Sequence, residues 1–324
     1  MSARGWSSGT RVALIAAIAI VMGSLFVTTY SMALGDPVPH RIDAAIVGNP
    51  RTHRTATRAV EHAAGDSLVL HRYASVAAAL RAIDRQQVYA ALDLTSPRPT
   101  LYVASAAGAS VARVLERVSA RDPGVRVIDT HPLDPRDPNG LDVFYLMLVA
   151  TIVGFVTTFQ VDANAGPLSR GRTAAFVLSL AVGGSLIFTL IEGPLLHQLD
   201  LPVLESWGIL TLQLAAAASF ASLMHELVGR WAIIPAWLFF VVLGNSSSGG
   251  SVAPPLLPRP FALISQWLPS GATVSALRSA IYFPDYQHLR PLAVLAVWAI
   301  GLFAAMILAM RHGDAGTALT GAAG

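Results

Sequence analysis

The sequence predicts a mainly α-helical membrane protein, with six transmembrane helices and a small extracytoplasmic α/β domain between helices 1 and 2. Composition gives the first indication: apolar residues make up 54% of the 324 residues and charged residues only 13%. That charged fraction is about half that of an average soluble domain. The apolar residues are also gathered into nearly uncharged blocks, each close to the ~20 residues that a bilayer-spanning helix needs. We therefore expect most of the chain to be surrounded by lipid.

Six blocks are the candidate transmembrane helices. Five of them have spanning length, namely 12–30, 141–159, 173–191, 206–224 and 291–310. The sixth, 231–243, is shorter and contains Pro235, but it reaches spanning length if its helix begins near Glu226. The first block ends near Ala33, in a small-x-small pattern typical of signal-peptidase sites, so cleavage is the alternative to an uncleaved anchor. We expect the anchor, because a signal sequence has an apolar run of only about 7 to 15 residues.

Arginine positions predict the orientation. Arg4 and Arg11 precede the first block, and the short loops on the same side of the membrane carry the remaining topogenic arginines, Arg170, Arg172, Arg230 and Arg311. Because short cytoplasmic loops are enriched in basic residues, this side is the cytoplasm. The prediction is a multi-pass protein of the bacterial inner membrane with both termini cytoplasmic. Its predicted parts are a tail and anchor (1–34), an extracytoplasmic domain (35–140), a five-helix membrane domain (141–311, with an outer re-entrant or interfacial segment 245–290) and a cytoplasmic tail (312–324).

The segment after the anchor predicts a folded α/β domain. Short runs rich in Val, Ile, Leu and Tyr predict strands at 42–48, 68–73, 88–94, 100–105 and 125–129. Between them, apolar residues recur at helical spacing at 55–64, 75–86 and 109–120. Strands that alternate with helices are typical of a small α/β domain. The Pro- and Asp-rich stretch 129–140 continues neither element and leads back to the membrane.

Several kinds of chemistry are excluded or disfavoured. The chain has no cysteine and no lysine, so it has neither disulfides nor the Lys of a phosphate-binding loop, and we predict no cofactor or metal site. His225-Glu226 lacks the second His of a zinc-protease motif, because Gly229 stands in its place. Ser251 in GGSVA resembles a nucleophile elbow but lacks the flanking strand and helix, so a serine hydrolase is a minor alternative. We expect no enzymatic activity and no nucleic-acid partner.

Two glutamines are polar groups at or near membrane depth. Gln213 lies within the fourth block and Gln160 at the end of the second. Buried polar groups in membranes line pathways or form hydrogen bonds between helices, and the sequence leaves both readings open.

A break in the apolar pattern sets 243–261 apart, where LGNSSSGGSVAPPLLPRPF follows the sixth block. Irregular backbone at membrane depth must be satisfied by protein or water, so we expect this stretch at or just beyond the outer surface. The following residues, 261–283, break at Pro269 and restart behind Ser270 as a predicted N-cap. They are too short and too polar to span, which indicates a helix pair dipping into, or lying along, the outer leaflet.

These features together resemble a known family. The strand IDAAIVG, the stretch ASVAAALRAIDRQQVYAALDL and the late WLPSGATVSALRSAIYF, with Pro269 nine residues before Arg278, resemble bacterial ABC type-2 permeases. Within that superfamily the chain is most similar to the branch of phage-infection and nitrosoguanidine-resistance proteins. Phage-infection proteins usually carry a far longer outer region, and in this respect the chain departs from them.

The resemblance implies an export permease for a hydrophobic, lipid-like or drug-like substrate. A permease of this kind works with a separate ATPase, as a homodimer or as a heterodimer with a similar permease. We expect the ATPase at the loop 161–172, whose candidate contact residues are Asp162, Asn164, Ser169, Arg170 and Arg172. An ordinary turn with topogenic arginines is the alternative for this loop.

The candidate outer gate comprises Pro269 and Arg278, with Glu192 and Glu205 as the expected partners of the arginine. Arg278 as a purely positioning residue is the alternative. For the whole chain, the alternative function is a non-transporting envelope protein, a receptor or secretion accessory that acts through its extracytoplasmic domain.

Overall fold

The computed structural model describes residues 7–35, 37–64, 67–166 and 168–321. It consists of an N-terminal helix, an α/β domain and a helical bundle. Arg4 of the predicted cytoplasmic tail and Pro167 of the predicted ATPase loop lie outside the described residues.

The α/β domain contains a five-stranded mixed sheet. Its strands are β1 (Ile42–Val47), β2 (Leu68–Tyr73), β3 (Ala90–Asp93), β4 (Thr100–Val103) and β5 (Arg126–Asp129). The strand order is β2-β1-β3-β4-β5; β1 pairs in parallel with β2 and β3, β4 is antiparallel to β3, and β5 is parallel to β4. Each parallel pair is joined through a crossover helix, because parallel neighbours cannot be joined by a tight turn. The five predicted strands are confirmed, with shorter boundaries for all but β2.

Three helices cover the sheet: α2 (Arg54–Ala63), α3 (Val76–Asp84) and α4 (Ala109–Arg121). Alternate residues of β1 point to opposite faces, so Ala44 and Ile46 join one core with α2 and α4, whereas Ala45 and Val47 join a second core with α3. The predicted strand–helix alternation is confirmed. The domain is therefore a three-layer α/β fold, with both sheet faces covered.

Among the residues that the structure describes, five helices are long and apolar enough to cross a membrane. Their spans are Ser8–Leu34 (α1), Asp142–Asn164 (α5), Arg170–Leu195 (α6, Arg170–Leu190, and a short π-helical end), Val203–Trp231 (α7, Val203–Val228, and a 3₁₀ turn) and Leu289–Arg311 within α11 (Leu289–Gly321). All five full-length blocks predicted from the sequence are confirmed as helices, so a multi-pass membrane protein is supported.

Helix α7 is the centre of the bundle, packing against α5, α6 and α11. Its small residues allow close approach: a β-carbon added at Gly154 of α5 would lie 2.7 Å from the Ala217 β-carbon and 3.1 Å from the Leu214 carbonyl oxygen. Small residues at helix–helix contacts are typical of membrane proteins, where dispersion contacts replace the hydrophobic effect. The Ala-rich middle of α7 is therefore an interface with several neighbouring helices.

The sixth block forms a short and irregular helix. Helix α8 (Ile233–Ala236) continues as a π-helix from Trp237 to Asn245. The expectation that this helix begins near Glu226 is wrong, because Glu226 belongs to α7 and a turn at Gly229, with φ +58°, separates the two helices. At 13 residues the helix is about 20 Å long even at α-helical rise, short of the ~30 Å hydrocarbon core.

The contacts made near the two ends of this short helix show in which direction it runs along the bundle. His225 near the end of α7 lies 3.4 Å from Asp162 near the end of α5, so that end of the bundle is far from the α/β domain that precedes α5. Val252 and Ala253, in contrast, belong to the core of the α/β domain. The chain between Gly229 and Val252 therefore runs back along the bundle to the α/β-domain end.

Two α-helices lie between the π-helix and α11, namely α9 (Arg259–Ser265) and α10 (Pro269–Tyr282). The predicted break at Pro269 is confirmed, but the predicted N-cap is wrong. Leu268 is the N-cap, Pro269 occupies the first turn, and the Ser270 hydroxyl is buried without a hydrogen-bond partner among the described residues. Helix α9 exposes Leu263, as an interfacial helix would, whereas α10 is buried along most of its length.

Candidate functional site

The most unusual feature of the bundle is the end of the π-helix in the stretch NSSSGG, residues 245–250. The sequence predicts this stretch at or just beyond the outer surface of the membrane; within the protein, Asn245 and the three serines that follow are each at most 3% exposed. The stretch lies inside the protein because α10, α5 and the α/β domain pack around it. π-Helices are rare and are often found at functional sites.

The three serine hydroxyls donate to backbone carbonyls at the helix end, and two of these carbonyls, those of Leu243 and Asn245, also accept a backbone amide. The hydroxyl of Ser246 donates to the carbonyl of Val242, and that of Ser247 donates to the carbonyl of Leu243. Ser248 donates in the same way to Asn245, at 2.9 Å. Buried carbonyls without partners are costly, so the serine run allows the helix to end inside the protein.

Glycines in the same stretch provide room for close packing. A β-carbon on Gly250 would lie 2.6 Å from the Phe144 ring of α5, and one on Gly244 would lie 2.7 Å from the Ser270 hydroxyl oxygen of α10. Gly249 has φ +76°, which L-residues with side chains rarely adopt. Small residues are therefore required where the chain leaves the π-helix.

Arg278 of α10 lies against this stretch. Its Nη2 donates to the carbonyl oxygen of Gly249 at 3.2 Å. Burial lowers the pKa of the Arg278 guanidinium, and the Tyr89 and Tyr282 hydroxyls oppose that shift. The group nevertheless stays charged, since arginine does not deprotonate in proteins.

Neither expected partner of Arg278 is bonded to it. Within the part of the chain that the structure describes, no carboxylate lies within 4.0 Å of its guanidinium. Glu205 instead accepts a hydrogen bond from Gln287 Nε2 at 2.7 Å. Glu192 lies at the end of α6 near Asp142 of α5. The arginine and the two glutamates are thus not brought together as one ionic gate.

A cavity of about 280 Å³ opens beside Arg278. Its lining comes from the α/β domain (Gln86, Tyr89), the helix break, α10, His288 just before α11 and Arg290 in the first turn of α11. These elements are far apart in sequence, so the cavity exists only because the α/β domain is docked on the bundle.

The docking is made of specific hydrogen bonds as well as apolar packing. The His40 amide donates to the Pro255 carbonyl at 2.9 Å, and the Ala253 amide donates to the Ser110 hydroxyl at 2.9 Å. Gln86, which follows α3 with φ +51°, bonds Ser279 of α10. A left-handed glutamine at a helix C-terminus costs about 1–2 kcal/mol relative to an allowed conformation, so its position is held by the surrounding structure.

Helix α10 is also tied to the core of the bundle. Gln213 of α7 is fully buried; its Nε2 donates to Thr151 of α5 at 2.7 Å, and its Oε1 accepts from Thr273 of α10 at 2.9 Å. Both the nitrogen and the oxygen of the side-chain amide form hydrogen bonds to other helices. These contacts match the alternative in which Gln213 forms hydrogen bonds between helices. Gln160 lies exposed near the end of α5 and accepts from Asn164 Nδ2 at 3.1 Å.

The predicted ATPase loop is shorter than expected. Because α5 extends to Asn164 and α6 begins at Arg170, the connection is 165–169 and the predicted boundaries 161–172 are wrong. Asp162 faces His225 of α7 instead of standing free, whereas Ser169 and Arg172 are exposed and Arg170 is half-buried at the start of α6. The connection lies at the end of the bundle away from the α/β domain.

The remaining sequence candidates form no catalytic group. Among the residues described, no three His, Asp or Glu side chains cluster as a metal site. Ser251 is half-buried, and its hydroxyl has no hydrogen bond to a described residue. Comparison with known proteins finds no matching protein-family model, no matching curated protein and no matching solved structure.

Sequence reasoning missed several residues of this site. Gln86, His288 and Arg290 were not selected, because each is an isolated polar residue in its own segment and only the tertiary fold brings them to the cavity. The serine run was noticed, but its role as a set of caps requires knowing that a buried helix ends there.

Proposed function

We propose that this chain is the membrane subunit of an export system of the ABC type-2 kind. It would lie in the bacterial inner membrane and move a hydrophobic, lipid-like or drug-like substrate with energy from a separate ATPase. The observation that carries the proposal is the position of α10. One short buried helix is hydrogen-bonded both to the bundle core, through Thr273, and to the α/β domain, through Ser279. Motion of the bundle helices would therefore reach the α/β domain through α10.

The membrane arrangement in this proposal has six crossings. The short helix Ile233–Asn245 returns the chain to the α/β-domain end, and the buried stretch 246–251 completes the crossing that the helix is too short to make alone. Irregular backbone at membrane depth is tolerated where protein surrounds it, and the serine caps meet that condition here. Six crossings place both termini in the cytoplasm and the α/β domain outside, in agreement with the arginine distribution.

The energy source must come from another chain. A chain without lysine has no phosphate-binding loop of the usual kind, so an ATP-driven permease needs a partner. The exposed connection 165–169, at the cytoplasmic end in this arrangement, is the proposed contact. The proposal also includes a second permease subunit, since the most apolar window of α1 has no buried residue, although Ala33 near the helix end is buried and Phe26 contacts Trp237.

Crosslinking from a single introduced cysteine tests the proposal. Ser169→Cys, in native membranes treated with a bifunctional maleimide, is expected to capture a protein with a nucleotide-binding domain, identified by mass spectrometry. The matched control is Ser96→Cys, an exposed position in the α/β domain. If Ser169→Cys captures no nucleotide-binding protein under ATP turnover while Ser96→Cys captures an envelope protein, the alternative of a receptor or secretion accessory is correct.

A further inference from the structure

The cavity beside Arg278 is lined by basic side chains and by no acidic ones. Its lining includes two arginines, Arg278 and Arg290, and His288, but no aspartate or glutamate. The polar groups that complete it are neutral serine and glutamine side chains, together with the Tyr89 phenol, whose pKa is raised by burial. The cavity is therefore a cationic site at neutral pH.

Within the described residues neither arginine forms an ion pair, although the Asp137 carboxylate favours the charged form of Arg278 from beyond 4.0 Å. Arg278 uses one of its five N–H donors on a carbonyl oxygen, and Arg290 lies over the Trp267 ring at 4.8 Å. Within the described part of the chain, no carboxylate lies within 4.0 Å of either guanidinium. Arg278 is half-buried, and a bound anion would lower the cost of partly burying its charge without an ion-pair partner.

The size of the cavity limits what it can hold. A volume of about 280 Å³ is near the lower end of the roughly 300–1,000 Å³ of ligand pockets. This is room for a small anion or a headgroup, not for a whole lipid. Guanidinium groups favour phosphate, because their donors match its oxygens in pairs.

The surroundings of the cavity mouth suit a membrane surface. Arg290 is exposed, as are Leu263 of α9 (65%) and Trp267 (57%), which follows that helix. Tryptophan is enriched where membranes meet water, so acyl chains could lie along α9 while a headgroup enters the cavity. We propose that this cavity binds a phosphate-bearing anion, with Arg278 and Arg290 as its ligands. This assignment does not depend on the proposed export function.

A charge-selective modification experiment tests the site in the full-length protein in detergent. Ser275→Cys places a thiol at a half-buried position of the lining in a chain that has no other cysteine. For each cysteine we compare the reaction rate of the anionic reagent sulfonatoethyl methanethiosulfonate with that of its cationic trimethylammonioethyl analogue. The ratio of the anionic rate to the cationic rate should be roughly 10-fold higher at Ser275→Cys than at the exposed control Ser96→Cys. Arg290→Gln should lower that preference, whereas Arg259→Gln, outside the cavity, should leave it unchanged. Because Arg290 is exposed, its replacement spares the fold even if Arg278→Gln does not.

Protection by two probes distinguishes the sources of the phosphate. If inorganic phosphate and dihexanoyl phosphatidic acid both slow the modification of Ser275→Cys, the site accepts the free anion. If only the lipid protects, it is a headgroup site. A reagent preference equal to that of Ser96→Cys, with no protection by either probe, would overturn the proposal. Since no ATPase takes part, this result is independent of the crosslinking test of export.

Discussion

The Gln86 side chain of the α/β domain and the Ser279 hydroxyl of α10 are joined by two hydrogen bonds. Gln86 Nε2 donates to Ser279 Oγ at 2.9 Å, and Ser279 Oγ donates to Gln86 Oε1 at 3.1 Å, across 193 residues of sequence. Ser279 is fully buried. This pair fixes α10 to the α/β domain at the edge of the cationic cavity.

A double-mutant cycle measures that connection. Gln86→Ala and Ser279→Ala should each lower the free energy of unfolding by about 1 kcal/mol, and the double variant should lose less than the sum, because both changes remove the same bonds. Unfolding by sodium dodecyl sulfate in mixed micelles gives the measurement. Gln87→Ala, at an exposed neighbouring position, should change stability by no more than about 0.5 kcal/mol. Strict additivity of the two alanine changes would show that the contact contributes nothing.

The serine caps of the π-helix predict a contrast between two alanine substitutions. Ser247→Ala removes a fully buried hydroxyl that donates to the Leu243 carbonyl, which still accepts the Ser246 amide, so it should cost about 0.5–1.5 kcal/mol. Ser251→Ala removes a hydroxyl with no hydrogen bond to a described residue and should be nearly neutral. The same micelle titration compares them. Equal effects would mean that capping does not stabilise the helix end.

Close packing between α9 and α10 predicts that Gly271 cannot be replaced. A β-carbon there would overlap the Ser265 backbone carbonyl oxygen. This atom belongs to the backbone, so it cannot move aside as the end of a flexible side chain could. Gly271→Ala should therefore give little folded protein in detergent, measured by size-exclusion chromatography. Gly208→Ala, on an open helix face, should fold normally and gain about 0.5–1 kcal/mol. A well-folded Gly271→Ala protein would show that α9 and α10 pack less closely than described.

Gln213 predicts a modest effect because its partners have other acceptors. When Gln213→Leu removes the amide, Thr151 still donates to the Met147 carbonyl and Thr273 to the Pro269 carbonyl. The expected loss is about 0.5–1.5 kcal/mol, the usual range for hydrogen bonds between membrane helices. A much larger loss in the micelle titration would indicate that Gln213 organises the bundle core. Gln160→Leu, at an exposed position, serves as the control.

The sequence predicted the local elements well, and the reasons are physical. Strands such as Leu68–Tyr73 and long apolar helices such as α5 follow from composition and periodicity within a single segment. The burial of Asn245–Ser248 does not follow from its own segment. A serine- and glycine-rich stretch has the same composition whether it lies at a surface or between the bundle and the α/β domain. The cavity was predicted only through Arg278, since its other charged residues come from another segment.

Tertiary contacts also changed two interpretations of charged groups. Glu205 was expected near Arg278 by topology, yet Gln287 occupies its carboxylate. Asp162 was expected in a free loop, yet the helix continues past it and His225 faces it. In both places a segment distant in sequence supplies the partner, so the local sequence does not predict it.

Accessibility of three introduced cysteines tests most directly whether the short helix Ile233–Asn245 completes a sixth crossing. Ser96→Cys, Ser169→Cys and Arg311→Cys are all at exposed positions, whereas Ser247, a natural choice by sequence, is buried and uninformative. With a membrane-impermeant maleimide on intact cells, an arrangement with six crossings predicts labelling of Ser96→Cys alone. After permeabilisation it predicts labelling of all three cysteines. Labelling of Arg311→Cys in intact cells, with Ser169→Cys protected, would show that the short helix does not cross and would contradict the account.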